Sequence, residues 1–556
     1  MKKIYKNFLL AILILPSILS AKTWYVSSTA TGGGNGSFAN PWQLQTALNQ
    51  PASVLPGDTI YVRGGIYSGN FTANLNGTVS SPIIIRNYKL ERAILSNNVN
   101  SLSFTLLIAG SYTWFWGLEI TSTSTDRVSS NTAAPATASN SGIAWTTGIT
   151  TYSTKIINCS VYDNGTNGIQ PFSATEGTEL YGNLVFNNGY VGTDRGHGHA
   201  VYAQNAQFNA NAPTKLFQDN IMFNSFGWGF HIYTQGGKVD NFDMIGNVLF
   251  NAGANGGANG NFGAIDYHNG NLLVEHNGGD FLAHNINIIR NLNYYSDDNS
   301  GDNFFTSDIT GGRIDSNYVA GGYVALSIDN GNQTMVGNTA ITSSLLNNHF
   351  NQSQYPNNIY SQTKPASNYI VTKPNKYDND RGTIVVYNWS LSTTVSVNPS
   401  TFTSLKPGDT YVLHAVQNYY ADTVRAVYTG GNITLQMQNH SSPQKALGLN
   451  HIATSTFPEY GVFVIEKVVS GLTGINEKYE TPSVKIFPNP AQGTLFIETS
   501  ADLNKYKLVN ILGEIIDSGS IVTNKIDFDH TLTGVYFIEL FSSDNTLLTI
   551  KKIVLE

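Results

Sequence analysis

The sequence predicts an all-β fold built from stacked coils. A short phrase that begins with asparagine and continues with alternating apolar residues occurs seven times, at intervals of 21 to 44 residues. Alternation is the period of a β-strand, and Asn/Gly-rich corners follow the copies. A fixed phrase with variable inserts is typical of a solenoid, whose coils cover each other and whose asparagines can hydrogen-bond along the stack. The copies begin at Asn158, Asn183, Asn220, Asn247, Asn291, Asn317 and Asn338.

Composition supports this fold and excludes several functions. Only 12% of the 556 residues are charged, so long helices are not expected. The net charge of −7 argues against a nucleic acid partner, because phosphate binding requires clustered Lys and Arg. The single cysteine, Cys159, excludes an internal disulfide framework and a cysteine-based metal site. It occupies an apolar position of the first copy and is expected to be buried.

The amino terminus has the three parts of a secretory signal. Residues 1–21 combine early lysines, an apolar run over residues 8–15 and small residues at 20 and 21. The apolar run is too short for a permanent membrane helix, and no other stretch is long enough. We therefore predict an exported chain with no membrane span and a soluble mature form.

The segment after the signal predicts short strands and one helix. Leu44, Ala47 and Leu48 share a helical face after a proline-containing start. The sequence Pro-Gly-Asp-Thr-Ile-Tyr-Val-Arg-Gly-Gly-Ile-Tyr at 56–67 is a turn followed by an alternating strand, and Ser-Pro-Ile-Ile-Ile-Arg follows at 81–86. With the Asn-Pro-Trp helix start at 40–42, this order resembles the opening of secreted right-handed parallel β-helix proteins.

That resemblance covers residues 23–345. Its members include polysaccharide lyases, such as the chondroitinase B and alginate lyase group, and several glycoside hydrolase families. It implies a right-handed parallel β-helix over residues 22–376, with the short helix capping the first coil. The opening is shared across chemistries, so the resemblance implies a fold and leaves the reaction open.

Two further segments complete the predicted architecture. Residues 377–469 contain short strands at close spacing, which predicts a small antiparallel β-sandwich, and a polar linker follows at 470–482. A structural role is favoured for this sandwich. Its candidate carbohydrate-binding side chains are Trp389, Tyr419 and Tyr420.

Residues 483–556 predict a last small β-sandwich. They contain Ile-Phe-Pro-Asn-Pro at 486–490, Leu-Val-Asn-Ile-Leu-Gly at 508–513 and Lys-Lys-Ile-Val-Leu at 551–555. These phrases closely resemble the C-terminal sorting domain of type IX secretion. The resemblance implies the type IX machinery as a partner, passage through inner and outer membranes, and a secreted or cell-surface protein.

Three strands predict where chemistry could lie. The segments 200–204, 231–235 and 264–268 can be superposed with Val201, Ile232 and Ile265 facing inward, so that the residues on either side face outward. One predicted outward column holds Tyr202, Tyr233 and Asp266, flanked by His231. The next column holds Gln204, Gln235 and His268.

Other polar residues are expected to reach the same groove. The Gly-rich turn at 194–199 offers Arg195 and His199 as sugar-binding groups, and Glu275 and Lys238 come from following segments. Two histidines at i and i+2 could share a metal, but no third ligand is marked by spacing, so no metal site is predicted. Cross-strand tyrosine pairs, a self-satisfied glutamine column and solvated corner residues would explain the same pattern without a site.

The leading hypothesis is a glycoside hydrolase that cleaves a polysaccharide bound along the groove. Acidic residues outnumber basic ones over residues 141–340, which disfavours a polyanionic substrate unless calcium bridges it. Asp266 would be one catalytic carboxyl, paired with Glu275 or Asp194, and His231 and His268 would tune its proton. Tyr202 and Tyr233 would form the sugar platform; the other proposed binding residues are Arg195, His199, Gln204, Gln235, Lys238 and Glu275.

Two alternatives stay open. A polysaccharide lyase would act on a uronate-containing glycan by β-elimination, with Tyr233 or His231 as the base and Lys238 or Arg195 facing the carboxylate. A non-catalytic surface glycan-binding protein or adhesin is the third hypothesis. We expect a monomer that requires no cofactor, with calcium as the one ion left open.

Overall fold

The computed structural model describes most of the chain after residue 20. The described ranges are 21–98, 103–172, 175–205, 213–234, 238–256, 269–276, 282–298, 301–468, 485–499, 503–510, 515–521, 523–529, 531–542 and 547–556. The chain divides into two compact units, residues 1–468 and 469–556. Within these described ranges, we find no helix with the length and apolar character of a membrane span.

Three long parallel sheets form the body of the first unit. The chain passes from the first sheet to the third and then to the second in each coil, for example through Thr59–Val62, Gly65–Ser68 and Phe71–Ala73, before it returns to the first sheet at Ile83–Asn87. This is a parallel β-helix, and the predicted fold class is confirmed.

The strands of each sheet follow in chain order. The first sheet contains Thr23–Val26, Thr59–Val62, Ile83–Asn87, Thr113–Trp116, Lys155–Ile157, Glu179–Tyr181, Lys215–Gln218, Asp240–Ile245, Ala283–Ile289, Ile309–Asp315 and Thr334–Val336. The second contains Phe71–Ala73, Leu106–Ile108, Ile143–Trp145, Ile169–Gln170, Val201–Ala203, Phe230–Thr234, Gly270–His276, Asp302–Ser307, Val324–Asp329 and Leu345–Asn348. The third contains Gly65–Ser68, Ala93–Asn97, Glu119–Ser122, Ser160–Tyr162, Leu184–Phe186, Ile221–Phe223, Val248–Phe250, Leu292–Tyr294, Tyr318–Ala320, Thr339–Ile341 and Ile359–Ser361.

Short elements close the coils. The predicted helix forms at Leu44–Leu48 and buries Leu44, Ala47 and Leu48 in the same core as the first strand. Two strand pairs lie outside the large sheets: Thr151–Tyr152 with Thr175–Glu176, and Tyr190–Val191 with Gly196–His197. Single 3-10 turns occur at Gln352–Gln354, Pro399–Thr401 and Val416–Asn418.

The repeated asparagines form a hydrogen-bonded ladder inside the coil. The Nδ2 of each donates to the Oδ1 of the next, at 2.8 Å from Asn183 to Asn220 and 2.9 Å from Asn220 to Asn247. The same Oδ1 also accepts the preceding asparagine's backbone N–H, as Asn247 Oδ1 does from Asn220 at 3.1 Å. The predicted stacking of asparagines is therefore confirmed. The ladder comprises Asn183, Asn220, Asn247, Asn291, Asn317, Asn338 and Asn358.

The two ends of the ladder differ from the prediction. Ser160 pairs with Leu184, so Cys159 lies beside Asn183 and Asn158 does not. The alignment of the first copy on Asn158 was thus wrong by one residue. Cys159 is buried as expected, and its backbone N–H donates to Asn183 Oδ1 at 2.9 Å. At the other end, Asn358 adds an unpredicted rung, because its Oδ1 accepts a hydrogen bond from Asn338 Nδ2.

An antiparallel sandwich follows the β-helix and packs on its third sheet. Its larger sheet contains Tyr369–Pro374, Arg381–Tyr387, Tyr460–Val468, Thr410–Ala415 and Thr423–Val427, and its smaller sheet contains Thr394–Val397 and Ile433–Gln436. Trp389 is 9% exposed and Tyr419 is 7% exposed, and both lie in the core shared with the third sheet. Their burial supports packing roles for both side chains.

The second unit has its own core. A three-stranded sheet contains Lys485–Phe487, Thr494–Glu498 and Lys525–Asp527, and a four-stranded sheet contains Ile515–Ser520, Leu503–Val509, Gly534–Ser542 and Leu547–Leu555. Leu495, Leu508 and Ile538 are among its fully buried residues. The predicted second β-sandwich is confirmed.

Replacing one ladder asparagine tests the contribution of the ladder to stability. Asn247→Ala should lower the free energy of unfolding by about 3 kcal/mol or more, because donors and acceptors of Asn220 and Asn291 lose buried partners. Asn358→Ala, at the partly buried end of the ladder, should cost less, and the exposed Asn432→Ala should cost below about 0.5 kcal/mol. Denaturant unfolding measures all three. Equal losses for Asn247→Ala and Asn432→Ala would contradict the prediction.

Candidate active-site cleft

A cleft of about 630 Å³ lies on the outer face of the second sheet. Strand alternation places Tyr202 between the buried Val201 and Ala203, and His231 between Phe230 and Ile232, so that the polar rings point outward. The lining residues are Ala134, Thr166, Asn167, Tyr190, Arg195, His197, Gly198, His199, Tyr202, Trp228, His231, Tyr233, Leu273, Glu275, Asp302 and Phe305.

The strand register differs from the prediction by two residues. Tyr202 pairs with His231, and Tyr233 pairs with Glu275. The predicted column of Tyr202 beside Tyr233 was therefore wrong. A shift of two residues preserves alternation, so the outward orientation of these rings stays as predicted.

The third predicted strand was also wrong. The neighbour of Phe230–Thr234 is Gly270–His276, where the prediction had put the segment 264–268. Asp266, His268 and Gln235 lie outside the described residues. The proposed catalytic roles of Asp266 and His268 therefore stay predictions.

Three rings stack along the floor of the cleft. The ring centroid of His231 lies 4.0 Å from that of His199 and 4.9 Å from that of Tyr233. Tyr202 meets His231 edge to face at 4.7 Å, and Phe172 supports Tyr202 from behind at 4.7 Å. The predicted register gave none of these contacts. The observed register nevertheless brings four of the polar residues predicted to line the groove into one cluster: His199, Tyr202, His231 and Tyr233.

Both stacked histidines are uncharged at neutral pH. Burial, together with a smaller contribution from the Arg195 charge, lowers the pKa of His231 to about 3. Burial also lowers the pKa of His199 well below its usual value, with contributions from His231 and Arg195. The backbone N–H of Trp228 donates to His199 Nδ1 at 2.9 Å, so the ring proton of His199 lies on Nε2. His231 Nδ1 is buried without a hydrogen-bond partner among the described residues.

Arg195 is the cation that acts on the whole cluster. Burial raises the pKa of Tyr202 and Tyr233 raises it further, while the positive charge of Arg195 lowers it. The same charge lowers the pKa of His199 and His231. Arg195 lines the same cleft as these rings and brings a positive charge to it.

A hairpin turn positions Arg195. The strands Tyr190–Val191 and Gly196–His197 pair antiparallel, and His197 stacks on Tyr190 at 4.9 Å. His197 Nε2 lies 2.7 Å from Asp194 Oδ1, and Asp194 Oδ2 lies 3.9 Å from Arg195 Nε. Burial alone would raise the pKa of Asp194, but these two neighbours lower it overall.

Two carboxyl groups line the cleft on later strands of the second sheet than those of Tyr202 and His231. Burial raises the pKa of Glu275, assisted by Asp308 and Asp329, and burial raises the pKa of Asp302 to about 6. Glu275 pairs with Ser307, five positions beyond Asp302 on the same strand. At about 3.3 Å per residue, the two backbone positions are roughly 17 Å apart. With the reach of both side chains taken into account, that separation still exceeds the range of about 5–10 Å between paired glycosidase carboxyls.

Two predicted binding residues do not line the cleft. Lys238 pairs through its backbone with Asn205, at 2.7 and 2.8 Å. The carbonyl of Gln204 accepts a hydrogen bond from the buried Lys215 Nζ at 2.7 Å. Lys215 also donates to the Phe172 carbonyl at 3.0 Å and so anchors the ring that supports Tyr202.

Sequence reasoning missed several lining residues. Asn167 accepts a hydrogen bond from the His199 backbone N–H at 3.0 Å, and Trp228 holds the His199 tautomer. Both precede short strands of the second sheet, where a corner residue of one coil meets the next coil. The Asn-Gly and Trp-Gly pairs at 167–168 and 228–229 were the available signal.

The charge of Arg195 should contribute to the low pKa of His231. Arg195→Gln should raise the pKa of His231 above about 3 while burial keeps it below its usual value. The pH dependence of the His231 ring resonances in a ¹³C-histidine-labelled chain measures the effect, with His231→Gln for assignment. Arg313→Gln, which removes an exposed cation paired with Asp315, is the matched control. An unchanged His231 titration in Arg195→Gln would refute the assignment.

Similar solved structures are carbohydrate-active proteins. Pectate lyase Pel9A is 15% identical with a TM-score of 0.40, over 57% of this chain and 79% of that chain. A GH136 lacto-N-biosidase from Eubacterium ramulus is 11% identical with a TM-score of 0.38, over 61% and 67%. A rhamnogalacturonan lyase is 13% identical with a TM-score of 0.39, over 62% and 87%.

The carboxyl-terminal unit gives the one family assignment. No curated protein matches the chain. Residues 485–556 match the family described as "Secretion system C-terminal sorting domain". This segment is a type IX sorting domain, and the protein is exported to the cell surface or the medium.

Proposed function

We propose that the cleft cleaves a uronate-containing polysaccharide outside the cell by β-elimination. The observation that supports this most is the contact of Tyr202 with His231, which stacks on His199, in a cleft that Arg195 also lines. Such a site offers a charge for a carboxylate, an uncharged base and a phenolic acid together. β-Elimination from a uronate needs these three groups.

Each group has a defined task in the proposed reaction. Arg195 and the Nε2–H of His199 bind the uronate carboxylate, which makes the C5 proton more acidic. His231 removes that proton, the electron pair of the C5–H bond forms the C4=C5 double bond, and the C4–O4 bond breaks. Tyr202 donates its phenolic proton to the leaving O4, and the proton on His231 restores the tyrosine through solvent.

The pKa of His231 makes its ring an uncharged but weak base in the free protein. Its uncharged ring has a free lone pair at neutral pH, since its pKa lies near 3. Part of that lowering comes from Arg195, and a substrate carboxylate bound to Arg195 offsets the charge. The base therefore becomes stronger when substrate binds. The raised pKa of Tyr202 keeps the phenol protonated and able to act as the acid.

Glycoside hydrolysis is the second candidate. The pKa of Asp302 near 6 keeps a share of this carboxyl protonated at neutral pH, as a general acid requires. Glu275 is too distant to be the partner of Asp302, because their backbone positions are roughly 17 Å apart. A hydrolase therefore needs a second carboxyl from elsewhere, and Asp266 stays the predicted one.

The product distinguishes the two reactions. Alginate, polygalacturonate and neutral plant glucans are each digested with the protein. Absorbance near 235 nm should rise with a uronate polymer, because β-elimination leaves an unsaturated uronate. Reducing ends without that absorbance would overturn elimination in favour of hydrolysis. Unchanged polymers across the panel would favour the glycan-binding alternative.

Variants in the cleft assign the roles. Tyr202→Phe and His231→Gln should each lower kcat by about 100-fold or more, the usual scale for loss of an acid or base. Arg195→Gln should chiefly raise KM, because it removes the carboxylate partner. Tyr152→Phe, at an exposed tyrosine outside the cleft, is the control. The measurement is the 235 nm rate on the cleaved polymer, and wild-type kcat in Tyr202→Phe would exclude it as the acid.

Asp302→Asn separates the candidates by a different route. Elimination by Arg195, His231 and Tyr202 does not use this carboxyl, so the variant should retain kcat within about threefold. A loss of about 100-fold would assign Asp302 a catalytic proton and favour hydrolysis. Parallel assays of reducing ends and 235 nm absorbance make the comparison.

A further inference from the structure

We propose that a second surface, on the outer face of the first three coils, binds an acidic polysaccharide chain without cleaving it. We call this surface the first-coil patch. Its aromatic members are Tyr25, Phe38, Tyr61 and Tyr88, and its cationic members are Arg63, Arg86 and Lys89. The inference does not depend on which bond the cleft cleaves.

Strand register builds the centre of the patch. Tyr25 pairs with Tyr61, and Tyr61 pairs with Arg86, on three successive strands of the first sheet. The residues next to them, such as Val26 and Val62, are fully buried in the core. Alternation therefore sends the tyrosine rings and the guanidinium to the outside, at strand spacings of about 4.8 Å.

The aromatic rings form a continuous half-exposed platform. Tyr25 stacks on Tyr61 with ring centroids 5.8 Å apart, and Tyr88 meets both rings edge to face, at 5.8 and 5.6 Å. Phe38 extends the platform 5.2 Å from Tyr25 and is 49% exposed. An exposed phenylalanine in contact with two tyrosines, Tyr25 and Tyr88, is the type of surface on which the apolar faces of sugar rings stack.

Three cations border the platform. Arg63 lies 4.7 Å from the Phe38 ring, Lys89 lies 5.2 Å from the Tyr88 ring, and Arg86 lies 4.1 Å from the Trp116 ring. None of the three forms an ion pair with a carboxylate of the described residues. The buried Nε atoms of Arg63 and Arg86 also have no hydrogen-bond partner among the described residues. Glu91, the acid beside Arg63, accepts a hydrogen bond from the Gly64 N–H at 2.6 Å.

Charge selects the ligand class. The protein carries a net charge of −7, so three cations without ion-pair partners in one aromatic surface are a local exception. Aromatic rings alone would suit a neutral glycan. Rings bordered by guanidinium and ammonium groups suit a chain that carries carboxylates or sulfates on its sugars.

The patch is separate from the cleft. It belongs to the first sheet, whereas the cleft lies on the second sheet. Beyond Arg86, Tyr377 packs on Trp114 and Trp116 at 5.7 and 5.8 Å and covers the next part of the first sheet. The open surface therefore ends at the third coil, and a polymer held there leaves the cleft free for another segment of the same chain.

Affinity electrophoresis of the full chain tests the inference. The Tyr202→Phe background should slow elimination by about 100-fold, and the gels contain alginate, polygalacturonate or a neutral β-glucan. Reducing-end assays on the gel samples check that the polymers stay intact. The Arg63→Gln/Lys89→Gln double variant should weaken retention in acidic gels about tenfold, because charge-assisted hydrogen bonds are lost. Phe38→Ala should also weaken it. Lys406→Gln, which removes an exposed cation of the sandwich, should be retained like its parent.

Several outcomes would overturn the inference. Unchanged retention of the patch variants would do so, and an equal loss in the neutral glucan gel would exclude an acidic ligand. Light scattering that shows a wild-type dimer and a monomeric double variant would assign the patch to a second copy of the chain. If melting shows that the double variant is unfolded, Lys89→Gln alone, at an exposed side chain, decides the question. Patch variants with native Tyr202 should keep wild-type turnover of short uronate oligomers, so failure of the cleft proposal and failure of this one are distinguishable.

Discussion

The asparagine ladder is the constraint on which the rest of the structure depends. Each interior ladder side chain is buried at 0–1% exposure and donates and accepts hydrogen bonds both along the stack and to the backbone. A slip by one residue in any coil between Asn183 and Asn358 would leave amide groups unpaired in the core and turn its strands inside out. The ladder therefore fixes register coil by coil, although the inserts between rungs differ in length.

The cleft inherits its geometry from that register. Tyr202 and His231 are cross-strand partners, and the stack from His199 to Tyr233 follows from the same alternation. A neutral histidine in a partly buried row of rings is costly to protonate, and Arg195 increases the cost. The fold thus keeps an imidazole uncharged beside a cation, an arrangement that a flexible loop would not hold.

The sequence predicted the frame well and the site only in part. The asparagine phrase carries its own hydrogen-bonding logic, so the ladder followed from the residues, except at Asn158, where Cys159 takes the rung. The pairing of Tyr202 with His231 could not be predicted, because a slip of two residues keeps every apolar residue inside. The pattern of apolar and polar residues therefore does not distinguish the two registers. Trp228 and Asn167 were missed because they act through backbone groups of a neighbouring coil, which a strand pattern does not encode. The packing of Trp389 required knowledge of where the sandwich meets the third sheet.

The cleft is electrically uneven along its length, and this bears on how a charged polymer would bind. Arg195 lies near the strand of Tyr202, whereas Glu275 and Asp302 line later strands at the acidic end of the cleft. Burial raises the pKa of both carboxyls, and Asp308 and Asp329 add to the increase for Glu275. Under the elimination proposal, a uronate carboxylate gains free energy at the Arg195 end and loses it beside Glu275. The acidic end then disfavours a second uronate within reach of the first. The surplus of acid that disfavoured a polyanion thus limits where along the cleft a carboxylate binds, and the proposal places the reacting sugar over the contacting rings of His231 and Tyr202.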